Sequence, residues 1–165
     1  AVVGDTEPPR LRLMSAATSV REARAGLATA ITAAILADGL NPAGRVVVDY
    51  GYPRTLPDDA ILLLGARSVQ EWRRTNRTRN EAASIEVHFL ARRTTELAAE
   101  DAAFDLLESA ARYIIETDPT LGGVVEECVV TATELDGYTD VENRAAGAFC
   151  RLIATFTTRA AITIS

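Results

Sequence analysis

The pattern of apolar and polar residues begins with an amphipathic helix. Apolar residues recur at helical spacing from Val20 to Ile35, and Gly39 follows at the point where a left-handed C-terminal cap is expected. Ser19 is followed three residues later by Glu22, which is the spacing of a capping box at a helix start. The sequence therefore predicts a first helix that begins after Ser19 and ends at Gly39.

Two short runs with β-strand character follow this helix. The stretch Arg45 to Tyr50 is β-branched, and glycine, proline and aspartate turn residues separate it from the apolar run Ala60 to Leu64. We expect these two runs to be strands of a meander. The next stretch, Gly65 to Glu81, places Trp72 and several arginines among polar residues, which predicts a long mobile loop or a protruding hairpin tip.

A third run alternates apolar and polar residues from Ala83 onward, which is the pattern of a half-buried strand. The apolar positions are predicted to face a core, and they are Ile85, Val87, Phe89 and Ala91. The polar positions are predicted to face outward, and they are Glu86, His88 and Arg92.

A second amphipathic helix is predicted after this strand. Thr94 or Thr95 supplies its N-terminal cap, and the helix extends to about Thr117. The apolar stripe predicted to face the core consists of Leu97, Phe104, Leu107, Ala111, Ile114 and Ile115. Pro119 and the Gly122-Gly123 pair end the helix.

The last part of the chain predicts two long strands, Val124 to Leu135 and Ala148 to Ile164, joined by turn-rich residues. Two helices on one face of a sheet bury both helical stripes. The predicted fold class is therefore α+β, with a mainly antiparallel sheet and two helices packed on one face. The predicted order is helix, three strands, helix and two-strand hairpin.

The final strand carries bulky residues at both parities. One face holds Cys150, Leu152 and Phe156, and the other holds Phe149, Ile153 and Ala161, interrupted by Arg151 and Arg159. Either a twist or bulge buries both sides locally, or the second face is a subunit interface.

The chain length fits one domain. Its 165 residues are 48% hydrophobic and 24% charged, which is enough to bury a continuous core. Residues 1–16 contain Gly4, Pro8 and Pro9 and show little periodicity, which predicts an extended or flexible N-terminal arm. Residues 17–165 are predicted to form a single α+β domain.

The net charge of −6 argues against sequence-independent wrapping of duplex DNA, which needs a basic face. All 17 basic residues are arginine, which we attribute to a GC-rich genome. No apolar run reaches the ~18–20 residues needed to cross a bilayer, and the N-terminus lacks a signal-peptide pattern. We expect a protein that stays in a cytoplasm and has no membrane partner.

The sequence contains no recognisable catalytic or metal-binding pattern. The single histidine, His88, and two cysteines cannot complete an ordinary four-ligand zinc site. Asp58 and Asp59 follow a proline, which is typical of a turn rather than of a metal pair. His88 has no partner at a catalytic spacing, and we expect it at the surface. We therefore predict no enzymatic activity and no cofactor.

The two cysteines lead to a conditional prediction. If the last hairpin turns near Thr139, Cys128 and Cys150 lie opposite each other on the paired strands. In a reducing cytoplasm we expect both to be free, buried thiols.

Several segments, taken in order, resemble one protein family. They are an alanine-rich first helix, Val47-Val48-Asp49-Tyr50-Gly51-Tyr52-Pro53, Leu56-Pro57-Asp58-Asp59-Ala60-Ile61-Leu62-Leu63-Leu64-Gly65, the Trp72 region, Glu86-Val87-His88-Phe89-Leu90-Ala91-Arg92-Arg93, and Thr117-Asp118-Pro119-Thr120-Leu121-Gly122-Gly123. From about Val20 to Ile164 the chain resembles the tail terminator proteins of long-tailed, siphovirus-type bacteriophages. Residues 1–16 lie outside this resemblance.

The resemblance implies a structural protein of the virion, assembled in the host cytoplasm. Such a protein caps the head-proximal end of the tail tube as a ring, a hexamer in this family, ends tail polymerisation, and offers the surface that joins the neck. The implied partners are other copies of the chain, the tail tube protein and a neck or head-completion protein, with DNA only passing through the channel. Two alternatives stay open: another neck or tail-completion protein, and a small cytosolic enzyme or ligand-binding domain.

Three regions are predicted to form the interfaces. The first is the arginine-rich stretch with Trp72, Arg73, Arg74, Arg77 and Arg79. The second contains Tyr52, Asp58 and Asp59, and the third contains Arg151 and Arg159. The arginine-rich stretch is interpreted as a solvated loop, as a clasp onto acidic residues of a neighbouring subunit or ring, or as a phosphate contact. Trp72 beside it either anchors that contact or caps the core.

Overall fold

A computed structural model of the chain describes residues 18–73, 78–138 and 147–163. Its elements, in chain order, are α1 Val20–Ala37, a 3-10 turn Pro42–Gly44, β1 Val47–Tyr50, β2 Asp59–Arg73, β3 Thr78–Arg93, α2 Glu96–Glu116, β4 Glu127–Tyr138 and β5 Ala148–Thr163. The α+β class and the predicted order of elements are confirmed. The predicted arm, residues 1–16, lies outside the described residues.

The five strands form one sheet in the order β1-β2-β3-β5-β4. All neighbouring strands are antiparallel except β1 and β2, which are parallel with Val47 opposite Ala60. The predicted meander of the first two strands is therefore wrong. Because β1 and β2 are parallel, the chain has to return from the end of β1 to the level of its start before β2 begins. The paired segment is four residues long, so this distance is about 13 Å, which the eight-residue loop 51–58 can span.

Both helices pack on one face of the sheet, as predicted, and the core lies between the helical layer and the sheet. We call the opposite sheet face the far face. The strand-three prediction is confirmed for the core side, because Ile85, Val87, Phe89 and Ala91 are fully buried. A smaller cluster of Ala60, Leu62 and Leu90 lies on the far face under Leu56 of loop 51–58.

The two ends of α1 differ in how well the sequence predicted them. Gly39 has φ +67°, and the backbone N–H groups of Gly39 and Leu40 bond Leu36 and Ile35 as in a Schellman cap, so the predicted stop is confirmed. Ser19 is the N-cap residue but makes no side-chain capping bond. The capping-box prediction is wrong because the Ser19 hydroxyl donates to Glu81 of β3 instead.

Helix α2 is capped as predicted, since the Thr95 hydroxyl oxygen accepts from the Ala98 backbone N–H. Its predicted apolar stripe is only partly right. Leu107 and Ile114 are buried, but Leu97, Phe104 and Ile115 are exposed. The buried side is instead built mainly of small residues together with Leu106, and comprises Ala99, Ala103, Leu106, Leu107, Ser109, Ala110 and Ile114.

The stretch predicted as a loop or protruding hairpin tip is a β-hairpin whose strands β2 and β3 continue to Arg73 and resume at Thr78. The loop interpretation is wrong for the described residues, because β2 stays paired with β3 through two register shifts. Residues 74–77 at the tip lie outside the described residues.

The predicted cysteine pairing is wrong. Cys128 lies opposite Thr158, and Cys150 lies opposite Gly137, because β4 and β5 pair in a different register from the predicted one, with a bulge in β4 between Val130 and Ala132. Both cysteines are free and buried, as expected. Among the described helices, none is both long and apolar enough to span a membrane.

Candidate functional site

The two edges of the sheet are open over long stretches. β1 pairs with β2 only from Ala60 to Leu63. Beyond that point the outer side of β2 meets no other strand of the described residues, and residues 65–70 are all exposed. Val69 in this stretch is 59% exposed. An open edge presents backbone N–H and C=O groups that can pair with another strand.

The opposite edge is β4. It pairs with β5 alone within the described part of the chain, so its other side is open along 12 residues, about 40 Å. Residues 131–135 are exposed without the alternation that one buried face produces. Val129 and Leu135 are 36% and 44% exposed, on opposite faces of the sheet. We call these two surfaces the β2 edge and the β4 edge.

A polar network crosses the far face between the edges. The Tyr52 hydroxyl lies 2.6 Å from His88 Nδ1 and also accepts from Arg151, which in turn donates to Asp136. The bond to Asp136, followed by that to Tyr52, raises the pKa of the Arg151 guanidinium. His88 Nε2 lies 3.3 Å from Glu86 Oε1 in an ion-pair approach that lacks hydrogen-bond geometry.

This network corrects the expected exposure of His88. The imidazole does face away from the helices, but it is only 5% exposed because the Tyr52 ring packs edge-on against it at 5.7 Å between centroids. The network fastens loop 51–58 to the sheet. Near Phe149 the second face of β5 is covered by loop 51–58 of the same chain, and the subunit interface on the rest of that face stays a prediction.

A cavity of 580 Å³ lies at the start of β2. Leu40, Val46 and Leu56 line it, and Arg93 closes one side with a bidentate pair to Asp59, at 2.6 and 3.0 Å. The bond to Asp59 raises the pKa of Arg93. The described residues contain no cluster of three or more histidine, cysteine, aspartate or glutamate side chains able to hold a metal ion.

The predicted interface residues are spread over the molecule. Tyr52 and Arg151 meet in the far-face network, whereas Asp58 and Asp59 lie by the cavity. Arg159 is exposed on the far face, eight residues and about 26 Å along β5 from Arg151.

The arginine-rich stretch is described only in part. Arg79 is half-buried on β3 and donates to Gln70 Oε1 at 2.8 Å. The backbones of Trp72 and Arg73 belong to β2, but their side chains lie outside what the structure describes, as do Arg74 and Arg77.

Sequence reasoning missed the β4 edge and the exposed apolar side of α2. The edge had one available signal, because residues 129–135 lack the strict alternation of a strand with one buried face. No short motif marks either surface.

Comparisons with known proteins give a fold neighbour. No protein-family model matches the chain, and no curated protein matches it. A solved structure titled "Virion of native gene transfer agent (GTA) particle" contains a chain with a similar fold, at a TM-score of 0.52 and 13% sequence identity. The match covers 81% of this chain and 93% of that chain. At this identity the likeness shows a shared fold.

Proposed function

We propose that the chain is a structural protein of a phage-like virion, and that it forms a ring which caps the head-proximal end of a tail tube. In this role it ends tail polymerisation and presents a surface to the neck or head-completion protein, while DNA passes through its channel. The observation that carries the proposal is the presence of two open edges on opposite sides of one sheet. An arrangement of this kind favours head-to-tail contacts, which close into a ring when the rotation per subunit divides a full turn.

The register across the sheet places the two edges at the same level. Val69 of the β2 edge pairs with Ala82 of β3. Ala82 pairs with Arg159 of β5, which pairs with Glu127 of the β4 edge. A rotation about an axis parallel to the strands therefore brings the β2 edge of one copy alongside the β4 edge of the next.

Strand direction also suits this contact. β2 and β3, β3 and β5, and β5 and β4 are each antiparallel, so β2 and β4 run in opposite directions. Rotation about an axis along the strands preserves direction, so the β2 edge meets the β4 edge of its neighbour as an antiparallel pair. The sheet then continues from one subunit to the next along residues 65–70 of β2, beyond the segment that pairs with β1.

Charge supports the same pairing. Arg67 of the β2 edge is exposed and lies at the level of Val129, beside exposed Glu127 of the β4 edge. In a ring, Arg67 of one copy and Glu127 of the next approach each other at every interface. The virion setting is supported by the fold shared with a chain of a gene transfer agent particle and by the resemblance to tail terminators.

The test is the mass of the purified protein by light scattering over a range of concentrations, alone and with tail tube assemblies. We expect a mass near six subunits, or rings only at tube ends. Arg67→Glu places like charges together and should shift the mass toward monomer, and adding Glu127→Arg should restore it. Arg21→Glu, an exposed change on α1, is the matched control.

Two outcomes separate the alternatives. A ring that ignores tubes would favour a neck or tail-completion protein, while a monomer at every concentration, with and without tubes, would contradict the proposal. A ring that Arg67→Glu leaves intact would refute the edge contact.

A further inference from the structure

Helix α2 carries a second stripe, made of four apolar residues and two acids, on the side that faces away from the sheet. Its positions are separated by steps of four and three residues, and they are Leu97, Asp101, Phe104, Glu108, Ala111 and Ile115. Leu97 and Ile115 are 67% and 65% exposed, and Phe104 is 37% exposed. We call these six positions the outer seam of α2.

Alternating steps of three and four are the spacing by which one helix packs along another. The outer seam extends over 19 residues, or about 27 Å between its first and last positions, along one side of the helix. The side that faces the sheet uses alanine at Ala99, Ala103 and Ala110. Three of the bulkiest apolar side chains of α2, those of Leu97, Phe104 and Ile115, are thus presented outward along one line.

The charge of α2 restricts what can cover the outer seam. The helix contains six acidic residues and one arginine, Arg112. Two of the acids, Asp101 and Glu108, are exposed and lie within the seam. Pairing α2 with α2 of another copy would gather four acids in one contact, and nucleic acid would be repelled.

The outer side of α1 from another copy also fits poorly. Its exposed basic residue is Arg21, at the first turn. Arg24 is committed to the Leu63 carbonyl oxygen at 2.7 Å and to the Tyr50 ring. One cation near a helix end cannot face two acids seven residues apart, so α1 of another copy does not supply the complementary charges.

We propose that the outer seam of α2 binds an amphipathic helix of a second virion protein, with apolar residues along its contact stripe and arginine or lysine opposite Asp101 and Glu108. The virion setting of this partner rests on the proposed function, but the chemistry of the contact does not. Leu97, Phe104 and Ile115 supply apolar contact area, and the two acids fix the register and orientation of the bound helix.

The test uses the full chain and two synthetic 21-residue helical peptides. Both carry leucine along the seam, and one has arginine while the other has glutamate at the two positions that face Asp101 and Glu108. By fluorescence anisotropy we expect the arginine peptide to bind at least tenfold more tightly. Asp101→Arg with Glu108→Arg should reverse that preference, and Leu97→Ser, Phe104→Ser and Ile115→Ser together should weaken binding at least tenfold.

A matched control moves the same charges off the seam. Asp105→Arg with Glu116→Arg changes the net charge equally, and it should keep the preference for the arginine peptide. If the control pair and the seam pair act alike, or if wild type does not discriminate the peptides, the inference fails.

The mass of the triple serine variant separates this inference from the proposed function. An unchanged mass with weakened peptide binding supports a partner helix, whereas loss of the ring would mean that another copy covers the seam and would overturn the assignment. If wild type itself forms no ring, the proposed function fails while the peptide result still decides the seam.

Discussion

One buried carboxylate ties the first residues of α1 to the sheet. Glu81 is 1% exposed, and its Oε1 accepts from the Ser19 backbone N–H at 2.7 Å, from the Ser19 hydroxyl at 2.6 Å and from the Thr18 hydroxyl at 3.0 Å. Ser19 is 1% exposed as well, so water cannot replace these bonds. We predict that Glu81→Ala destabilises the fold strongly even though Glu81 is distant in sequence from the helix that it holds.

The magnitude follows from the buried donors. Removing the acceptor leaves two buried Ser19 donors unpaired at about 1–3 kcal/mol each. Part of that loss is offset, because Glu81 Oε2 is buried without a hydrogen-bond partner and its burial is relieved by the substitution. The expected loss in the free energy of unfolding is therefore about 2–4 kcal/mol. Glu81→Gln keeps one acceptor oxygen and should lose about 1 kcal/mol.

Urea denaturation followed by circular dichroism, at one fixed protein concentration, measures this loss. The control is Glu22→Ala, which removes the carboxylate of the capping box that the sequence suggested, and it should change stability by less than about 0.5 kcal/mol. A double-mutant cycle of Ser19→Ala and Glu81→Ala should show coupling of about 1 kcal/mol or more. Equal small effects of Glu22→Ala and Glu81→Ala, without coupling, would refute the reasoning.

Two further predictions concern the thiols and a constrained glycine. Burial, followed by the charges of Asp118 and Glu127, raises the pKa of Cys128 to about 12, and burial also raises that of Cys150. Native protein at pH 8 should therefore resist iodoacetamide by mass spectrometry while denatured protein takes up two alkyl groups, and rapid native labelling would contradict this. Because the folded state favours the protonated Cys128 thiol, its contribution to stability is complete below pH 9.0 and is lost as the pH rises toward about 12, which melting curves can follow. At Gly147, φ is +90° and an added Cβ would collide with the Arg93 carbonyl oxygen. Gly147→Ala should therefore lower the free energy of unfolding by more than about 2 kcal/mol, against about 1 kcal/mol for Gly39→Ala, where the added Cβ meets open space. Equal losses for the two variants in urea denaturation would contradict the clash.

The sequence correctly predicted those features that depend on a single helix or strand. The stop at Gly39 needs only a residue that tolerates positive φ, and the Thr95 cap needs only a hydroxyl before a helix. The alternation from Ile85 to Ala91 reports one buried face of a strand. Each of these features follows from a few neighbouring residues, which is why the fold class could be predicted.

The wrong predictions concern side chains whose burial depends on a segment that is distant in the sequence. The wrong side of α2 was predicted to face the sheet because Leu97, Phe104 and Ile115 are the bulkier apolar residues. The sheet approaches α2 so closely that the buried side is built mainly of alanine, and this closeness is not visible in the sequence of the helix. His88 is buried by Tyr52, which lies 36 residues away. No single-sequence pattern reports such a pairing.

The candidate surfaces were predictable to different degrees. The stretch that carries Trp72 was predicted as a long loop or a protruding hairpin tip, and its strands were not recognised, because a pair of register shifts breaks the alternation between Leu63 and Arg73. The missing alternation over residues 129–135 was the one sequence signal of the β4 edge, and the sheet order is what identifies the edge. A strand is an edge strand only if no other strand pairs with its outer side, and this depends on the order of all strands in the sheet.

The sheet order has a consequence for how this protein is made. β5 lies between β3 and β4, yet a ribosome synthesises it after every other described element, 55 residues behind the last residue of β3. Until β5 is released, β3 exposes an apolar edge and β4 has no strand to pair with. Folding is therefore expected to be slow, with a nascent chain that is open to aggregation or chaperone binding until β5 inserts between β3 and β4.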